Sequence, residues 1–261
     1  MKKYVLNILI FTFFVNLSFS QNLDSLNISR INDTILSKYL NEKRPIEIQL
    51  PRSYGASPDK KYPLIVVLDG DYMFNIVAGS VDYLSYWGDI PENLIVGINQ
   101  KETRFKDSSV LDNITHTPIT STASFYDFIV NEVIPYFSKN YRISNFRVIL
   151  GQERTANFAN FFLLKKNPVF QAVISISPKM SKNMNSYLSE NLSKTNSKIV
   201  YTLSSSKKDF ESIYKNVAEL KNSLDSISNK NLKFESLIFS EENHYILPSL
   251  SVPKSIRSTY S

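Results

Sequence analysis

Between residues 64 and 239 the chain alternates short unbroken apolar runs with longer stretches whose apolar residues recur every three or four positions. The runs at 64–68, 94–98 and 172–176 are rich in Val and Ile and are bounded by polar or turn residues, the pattern of strands covered on both faces. Residues 146–150, 199–203 and 232–239 read as further strands. Residues 73–87 place Phe74, Val77, Val81 and Leu84 on one side of a helix, and residues 124–136 do the same with Phe125, Phe128, Ile129 and Val133 behind a candidate cap at Ser124. Helical spacing returns at about 154–166 and at 210–224. Strand and helix in this order predict an α/β fold with a mainly parallel central sheet and helices on both faces. Upstream, residues 35–40 and 45–50 alternate apolar and polar positions and read as an antiparallel N-terminal edge. Residues 51–61, with Gly55, Pro58 and Asp59, form a loop, and residues 99–121, without periodicity, form the longest one.

Composition narrows this picture. A chain of 261 residues, 43% hydrophobic and 13% aromatic, can bury one large core, and no repeat, low-complexity tract or linker divides it. Residues 35–261 are therefore expected to form a single domain behind an irregular segment at 21–34. Residues 1–20 have the order of a secretory signal: Lys2 and Lys3, an apolar run from Val5 to Val15, then Ser18-Phe19-Ser20 as a small-x-small cleavage site. Asn7 and Asn16 interrupt the run, which is short beside the roughly 20 residues of a membrane span. The expectation is a periplasmic or secreted protein without a membrane span after cleavage. The absence of cysteine excludes a disulfide framework and a lipid-modified cysteine. The formal charge of +6 comes from scattered lysines, with doublets at 60–61, 165–166 and 207–208, which makes a solvated surface and no nucleic-acid groove.

In open parallel sheets the ligand site lies at the carboxyl ends of the strands, so the residues after each strand carry the chemistry. Four such junctions resemble the Putative esterase branch of the α/β-hydrolase superfamily, which includes siderophore esterases, esterase D relatives and secreted carbohydrate esterases. The first is Tyr62-Pro63 leading through 64–68 into Asp69-Gly70-Asp71, similar to the family's strand and oxyanion loop. The second is Pro91-Glu92-Asn93 and the strand 94–98, with Arg104 and Asp107 downstream. The third is Arg147 to Ala156 followed by residues 168–178, ending Ser177-Pro178, and the fourth is Glu242-Asn243-His244-Tyr245. Together they cover most of residues 35–248 in order, and they imply an α/β-hydrolase fold.

The resemblance also implies a Gly-x-Ser-x-Gly turn that presents a nucleophile beside oxyanion amides. Here Gly151 is present, Glu153 stands in place of the serine, and Thr155 stands in place of the second glycine. A carboxylate nucleophile is one reading, since other α/β-hydrolases use aspartate there. Glutamate is one methylene longer, which displaces the attacking oxygen by about 1.5 Å, and a misplacement of about 1 Å costs roughly 100-fold. The preferred reading is a non-catalytic Glu153 kept charged by Arg154 or a pocket lysine. By the same resemblance His244 occupies the base position, where it serves either as base or as one half of a structural ion pair. The acid falls to Asp209 or Glu211, either of which could equally stabilise a helix N-terminus. Gly70, with the amide of Asp71 or Tyr72, supplies the oxyanion loop, and Gln152 and Arg154 flank the pocket. Ser177 reads as structural and His116 as exposed. Two distant histidines and no cysteine give no metal-ligand spacing, so neither metal nor cofactor is expected.

These readings lead to an esterase-like protein without its serine that binds a small molecule, a glycan or an envelope-protein partner. The alternative is a residual ester hydrolase using Glu153 with His244, or His244 acting on water.

Overall fold

The computed structural model describes residues 29–261. The signal segment and the expected irregular residues 21–28 lie outside the described residues. The order is β1 (Arg30–Ser37), β2 (Glu42–Gln49), β3 (Tyr62–Val67), α1 (Gly70–Tyr86), β4 (Leu94–Ile98), α2 (Arg104–Ser108), α3 (Thr120–Phe128) and α4 (Ile134–Asn140). It continues with β5 (Ile143–Gln152), α5 (Arg154–Asn160), β6 (Ala172–Ile176), α6 (Met184–Lys194), β7 (Ile199–Lys208), α7 (Glu211–Asp225), β8 (Leu232–Asn243) and α8 (Leu247–Tyr260). The eight strands form one sheet in the order β1-β2-β4-β3-β5-β6-β7-β8. β1 and β2 pair antiparallel, β2 joins β4 antiparallel, and all remaining pairs are parallel. This is the expected fold class: a mainly parallel sheet with an antiparallel N-terminal edge.

The β-branched runs of β3, β4 and β6 are buried because apolar clusters cover both faces of the sheet. On one face α3, α4, α5, α6 and α7 bring Phe125, Phe128, Phe137, Phe158, Leu188 and Val217 against Leu64, Val66 and Val173. On the other, α1 and α8 bring Met73, Phe74, Val77, Val252 and Ile256 against Ile65, Val67 and Ile174. α1 can lie directly on β4 because Gly70 has no side chain: a Cβ there would stand 2.7 Å from the Gly97 carbonyl carbon.

Several element boundaries differ from the sequence-based expectation. The first strand begins at Arg30, not Ile35, and ends at Ser37; residues 38–41 are the hairpin turn. The Ser37 hydroxyl accepts the Leu40 amide at 2.9 Å and Asn41 takes a φ of 52°, a conformation that Asn tolerates. The polar stretch Asn32-Asp33-Thr34 hides the strand's period, since Asp33 faces the fold only to accept a hydrogen bond from the Tyr136 hydroxyl. Ser124 is not a cap. α3 starts at Thr120 behind Ile119, and the helix runs through a π-type turn at Ile129–Val133 into α4, where Pro135 withholds its amide donor. The 154–166 helix tightens into a 3₁₀ turn at Phe161–Leu164. Besides the short α2, two helices escaped the pattern: α6, whose only buried residues are Met184, Leu188 and Leu192, and α8, which buries Ser251, Ser255, Ser258 and Thr259 among its apolar residues and contains Pro253.

The long loop is also more ordered than its composition implies. It contains α2, and its Leu111 and Pro118 form an antiparallel bridge. Arg44, buried on β2, pairs with Asp107 of α2 at 2.5 Å, both side chains being 1% exposed. Thr103 and Gln100 also donate to Asp107.

Candidate functional site

Polar residues gather at the carboxyl ends of β3, β5, β6, β7 and β8, and the residues that follow the last four line a cleft formed by Glu153, Lys179, Phe210, Ser212, Ile213, His244 and Tyr245, with a volume of about 450 Å³. Three residues at these strand ends adopt a positive φ without being glycine: Asp69 after β3 (53°), Glu153 after β5 (56°) and Ser177 after β6 (45°). Each such conformation costs about 1–3 kcal/mol and persists only where surrounding bonds hold it. For Glu153 these are its amide to the Ile176 carbonyl at 3.0 Å, and its own carbonyl accepting the Asn157 and Lys179 amides at 3.1 and 3.0 Å. The strand therefore turns sharply into α5 at Glu153, and the carboxylate is placed where the resemblance puts a nucleophile.

Gly151 makes that turn possible. A Cβ there would lie 2.6 Å from the Thr155 carbonyl carbon and oxygen and 2.8 Å from the Ala156 nitrogen, all of them backbone. Gly151→Ala is expected to destabilise the fold by about 1–3 kcal/mol, read as a lower urea midpoint at an unchanged m-value; an unshifted midpoint would refute the close approach. Thr155, by contrast, has a role of its own. Its hydroxyl accepts the Gln152 amide at 3.0 Å and donates to Asp69 at 2.7 Å, tying the elbow to the end of β3.

Glu153 is neutralised, but chiefly by a residue the sequence reading had not paired with it. Arg104 of α2 donates from Nη1 to Glu153 Oε2 at 2.8 Å, from Nε and Nη2 to the two Asp69 oxygens at 2.8 and 3.1 Å, and from Nη2 to the Gln152 carbonyl at 3.0 Å. Arg154, the expected partner, is 3.9 Å from Glu153 and lies over the Phe105 ring. Burial pushes the Glu153 carboxyl up, yet Arg104, Arg154 and His244 outweigh it and hold the group below its ordinary value. Burial likewise pushes Asp69 up, here beyond what its donors offset.

His244 and Asp209 meet. His244 is 6% exposed and its Nδ1 lies 2.8 Å from Asp209 Oδ1. Asp209 also accepts hydrogen bonds from Ser177, from Ser205 at 2.8 Å and from the Phe210 amide at 2.8 Å. Burial opposes its charge, but His244, Ser177, Ser205 and the Phe210 amide together hold the carboxyl below its ordinary value. Of the two acids left open by sequence, Asp209 is the one that reaches the imidazole; Glu211 is exposed in the first turn of α7. Ser177 serves the carboxylate, and Gln152 holds the His244 carbonyl through Nε2 at 3.1 Å.

Two expectations need correction. The Tyr72 amide is not an oxyanion donor, because Gly70 already begins α1 and the amide donates to the Asp69 carbonyl at 3.1 Å. Its hydroxyl instead donates to Asp69 at 2.9 Å. The amides of Asp71 and Arg154 donate to no group among the described residues, while the Asp71 carboxylate accepts the Gln100 amide at 3.1 Å. His116 is half-buried with a φ of 55°, not exposed. Among the described residues no cluster of three or more His, Asp or Glu could hold a metal ion, and no helix is long and apolar enough to cross a membrane.

The depressed carboxyls give a pH dependence. For Asp209 and Glu153 the folded value lies below the ordinary 3.8 and 4.5, so their stabilisation is present above those values and is lost as pH falls through the folded ones; Asp69, raised, works in the opposite sense. Comparing urea midpoints at about pH 6 and about pH 3 should show a smaller drop in Asp209→Asn than in the wild type. Equal drops would mean that Asp209 is not held in its charged form.

A mainly parallel sheet with its polar cluster at the strand ends, entered by a sharp strand-to-helix elbow, defines an α/β-hydrolase-like protein. The profile of the Putative esterase family matches residues 37–235, and the chain belongs to that family. Among solved structures it is similar to an uncharacterised protein of Capnocytophaga ochracea, with 22% identity and a TM-score of 0.78, covering 87% of this chain and 63% of the other. This chain thus spans less than two thirds of that protein. It is similar also to an IroE-like serine hydrolase of Shewanella oneidensis (22%, TM-score 0.78, 89% and 80% covered) and to the BES protein of Bacillus cereus (21%, TM-score 0.76, 89% and 96% covered). At these identities the likeness concerns the fold. No curated protein sequence matches the chain.

Proposed function

We propose that this chain is an exported member of the Putative esterase family that no longer hydrolyses esters and acts by binding a small ligand in the cleft beside Glu153 and His244. The observation that supports this reading is the Glu153–Arg104 pair. The residue on the elbow is a carboxylate already engaged by a guanidinium that also bonds Asp69 and the Gln152 carbonyl. A carboxylate attacking an ester would form a mixed anhydride, without the base-assisted proton removal that activates serine. A fluorophosphonate probe should leave the protein unlabelled, and a covalent serine adduct would overturn the reading. Export to the periplasm or beyond rests on the order of charged start, apolar run and small residues at 1–20.

A second reading is favoured by one feature. With Nδ1 bonded to Asp209, the His244 Nε2 is free to act on a water, alone or together with the Glu153 carboxylate. A screen of short acyl esters, acetylated sugars and epoxides separates the two, with Glu153→Gln run beside it. Turnover abolished by that change supports residual hydrolysis; turnover absent in both supports binding.

A further inference from the structure

We propose that the cleft takes an organic carboxylate, its anionic end held by donors around His244 and an apolar or aromatic ring lying against Phe210 and Tyr245. This rests on the non-hydrolytic reading above and specifies the ligand for the same site.

The unengaged groups of the cleft are mostly donors. His244 is more than nine-tenths buried, lines the cleft, and uses only Nδ1 within the protein, so Nε2 has no partner among the described residues. In the imidazolium form, Nδ1 donates to Asp209 while Nε2 donates into the cleft, so a bound carboxylate and the Asp209 carboxylate flank one cation. The first turn of α7 borders the same space through Ser212 and Ile213. The Ile213 and Tyr214 amides bond to the Phe210 carbonyl, whereas the amides of Glu211 and Ser212 donate to no group among the described residues. They lie at the positive end of a helix of 15 residues, where an anion is stabilised. Lys179 stands at the rim, exposed and without an ion pair among the described residues.

The acidic wall does not cancel this set. Glu153 is bonded to Arg104 and faces Arg154, so its charge is already balanced before a ligand arrives. The rest of the rim is aromatic: Phe210 is 49% and Tyr245 80% exposed, their rings perpendicular with centroids 6.3 Å apart, and both pack against His244. A ring placed there covers apolar surface that the fold leaves open, while the charged end lies on the buried imidazole. The volume of about 450 Å³ suits a molecule of that size.

Calorimetric titration of the mature chain with benzoate, benzamide and acetate tests the proposal. Benzoate should bind saturably, whereas benzamide, of the same shape without the charge, should bind about tenfold more weakly or worse. Acetate, without the ring, should be weaker by a similar factor. Lys179→Ala should weaken benzoate about threefold and leave benzamide unchanged. Benzamide binding as tightly as benzoate, or no saturable benzoate binding at millimolar concentration, would overturn the carboxylate. Phenyl acetate followed in the same samples keeps the two readings apart: its hydrolysis, lost in His244→Ala, would overturn the non-hydrolytic reading, while a stable ester with no benzoate binding would overturn only the ligand assignment.

Discussion

Arg104→Ala is expected to lower the unfolding free energy by about 3 kcal/mol, the lower end of the range for removing one partner of a buried ion pair. The lower end applies because Arg104 is itself 26% exposed. Its partner Asp69 is 1% exposed and would keep only the Tyr72 and Thr155 hydroxyls as donors for a charge that burial already disfavours. Against a typical domain stability of about 5–15 kcal/mol this is a large fraction. Arg104→Lys should recover less than half, since an ammonium cannot bond Asp69 through a planar fork while also reaching Glu153 and the Gln152 carbonyl. Urea unfolding of the three proteins at neutral pH measures the difference. A change of less than about 0.5 kcal/mol in Arg104→Ala would mean that the network is surface decoration.

Glu153→Ser is expected to create the ester hydrolysis that, on the binding reading proposed above, the unaltered chain lacks. The elbow already holds the positive φ that presents a side chain to the cleft, and Asp209 already orients His244. The amides of Asp71 and Arg154 remain open to an oxyanion. Hydrolysis of 4-nitrophenyl acetate should rise at least about 100-fold above the wild type, the lower range for a positioned general base. It should vanish again in Glu153→Ser with His244→Ala. Thr155 should be left in place: converting it to glycine, as the family pattern suggests, removes a hydroxyl that donates to buried Asp69, at a cost of about 1–3 kcal/mol. Failure of Glu153→Ser to react with a fluorophosphonate would show that the remaining groups no longer form a competent site.

What could be read from the chain follows from how local each signal is. β3, β4 and β6 were legible because burial on both faces forces an unbroken apolar run, and Glu153 because it follows a strand directly; His244 was read from the resemblance and Asp209 stood beside Glu211, because the polar ends of β7 and β8 hide how far those strands run, to Lys208 and Asn243. The start of β1 was hidden since an edge strand tolerates Asn32 and Asp33, and α8 since it packs through serines, with Ser251 donating to Ser204 at 2.6 Å. The role of Arg104 was not legible at all. Its position depends on Arg44, far off in sequence on β2, pairing with Asp107 and so setting the loop over the elbow. The only trace was an arginine and an aspartate three positions apart in a stretch without period, and an arginine inside a strand.

That clamp sets how the cleft should behave toward a visitor. The Gln100 side chain accepts the Asp69 amide at 2.9 Å and the Gln100 backbone amide donates to the Asp71 carboxylate, so the segment carrying Arg104 is fastened to both β3 and α1. Glu153, backed through Arg104 by a segment fastened in this way, has little freedom left to lose. Capture of a ligand should proceed in one kinetic phase, with a rate proportional to ligand concentration and no slow isomerisation after the encounter.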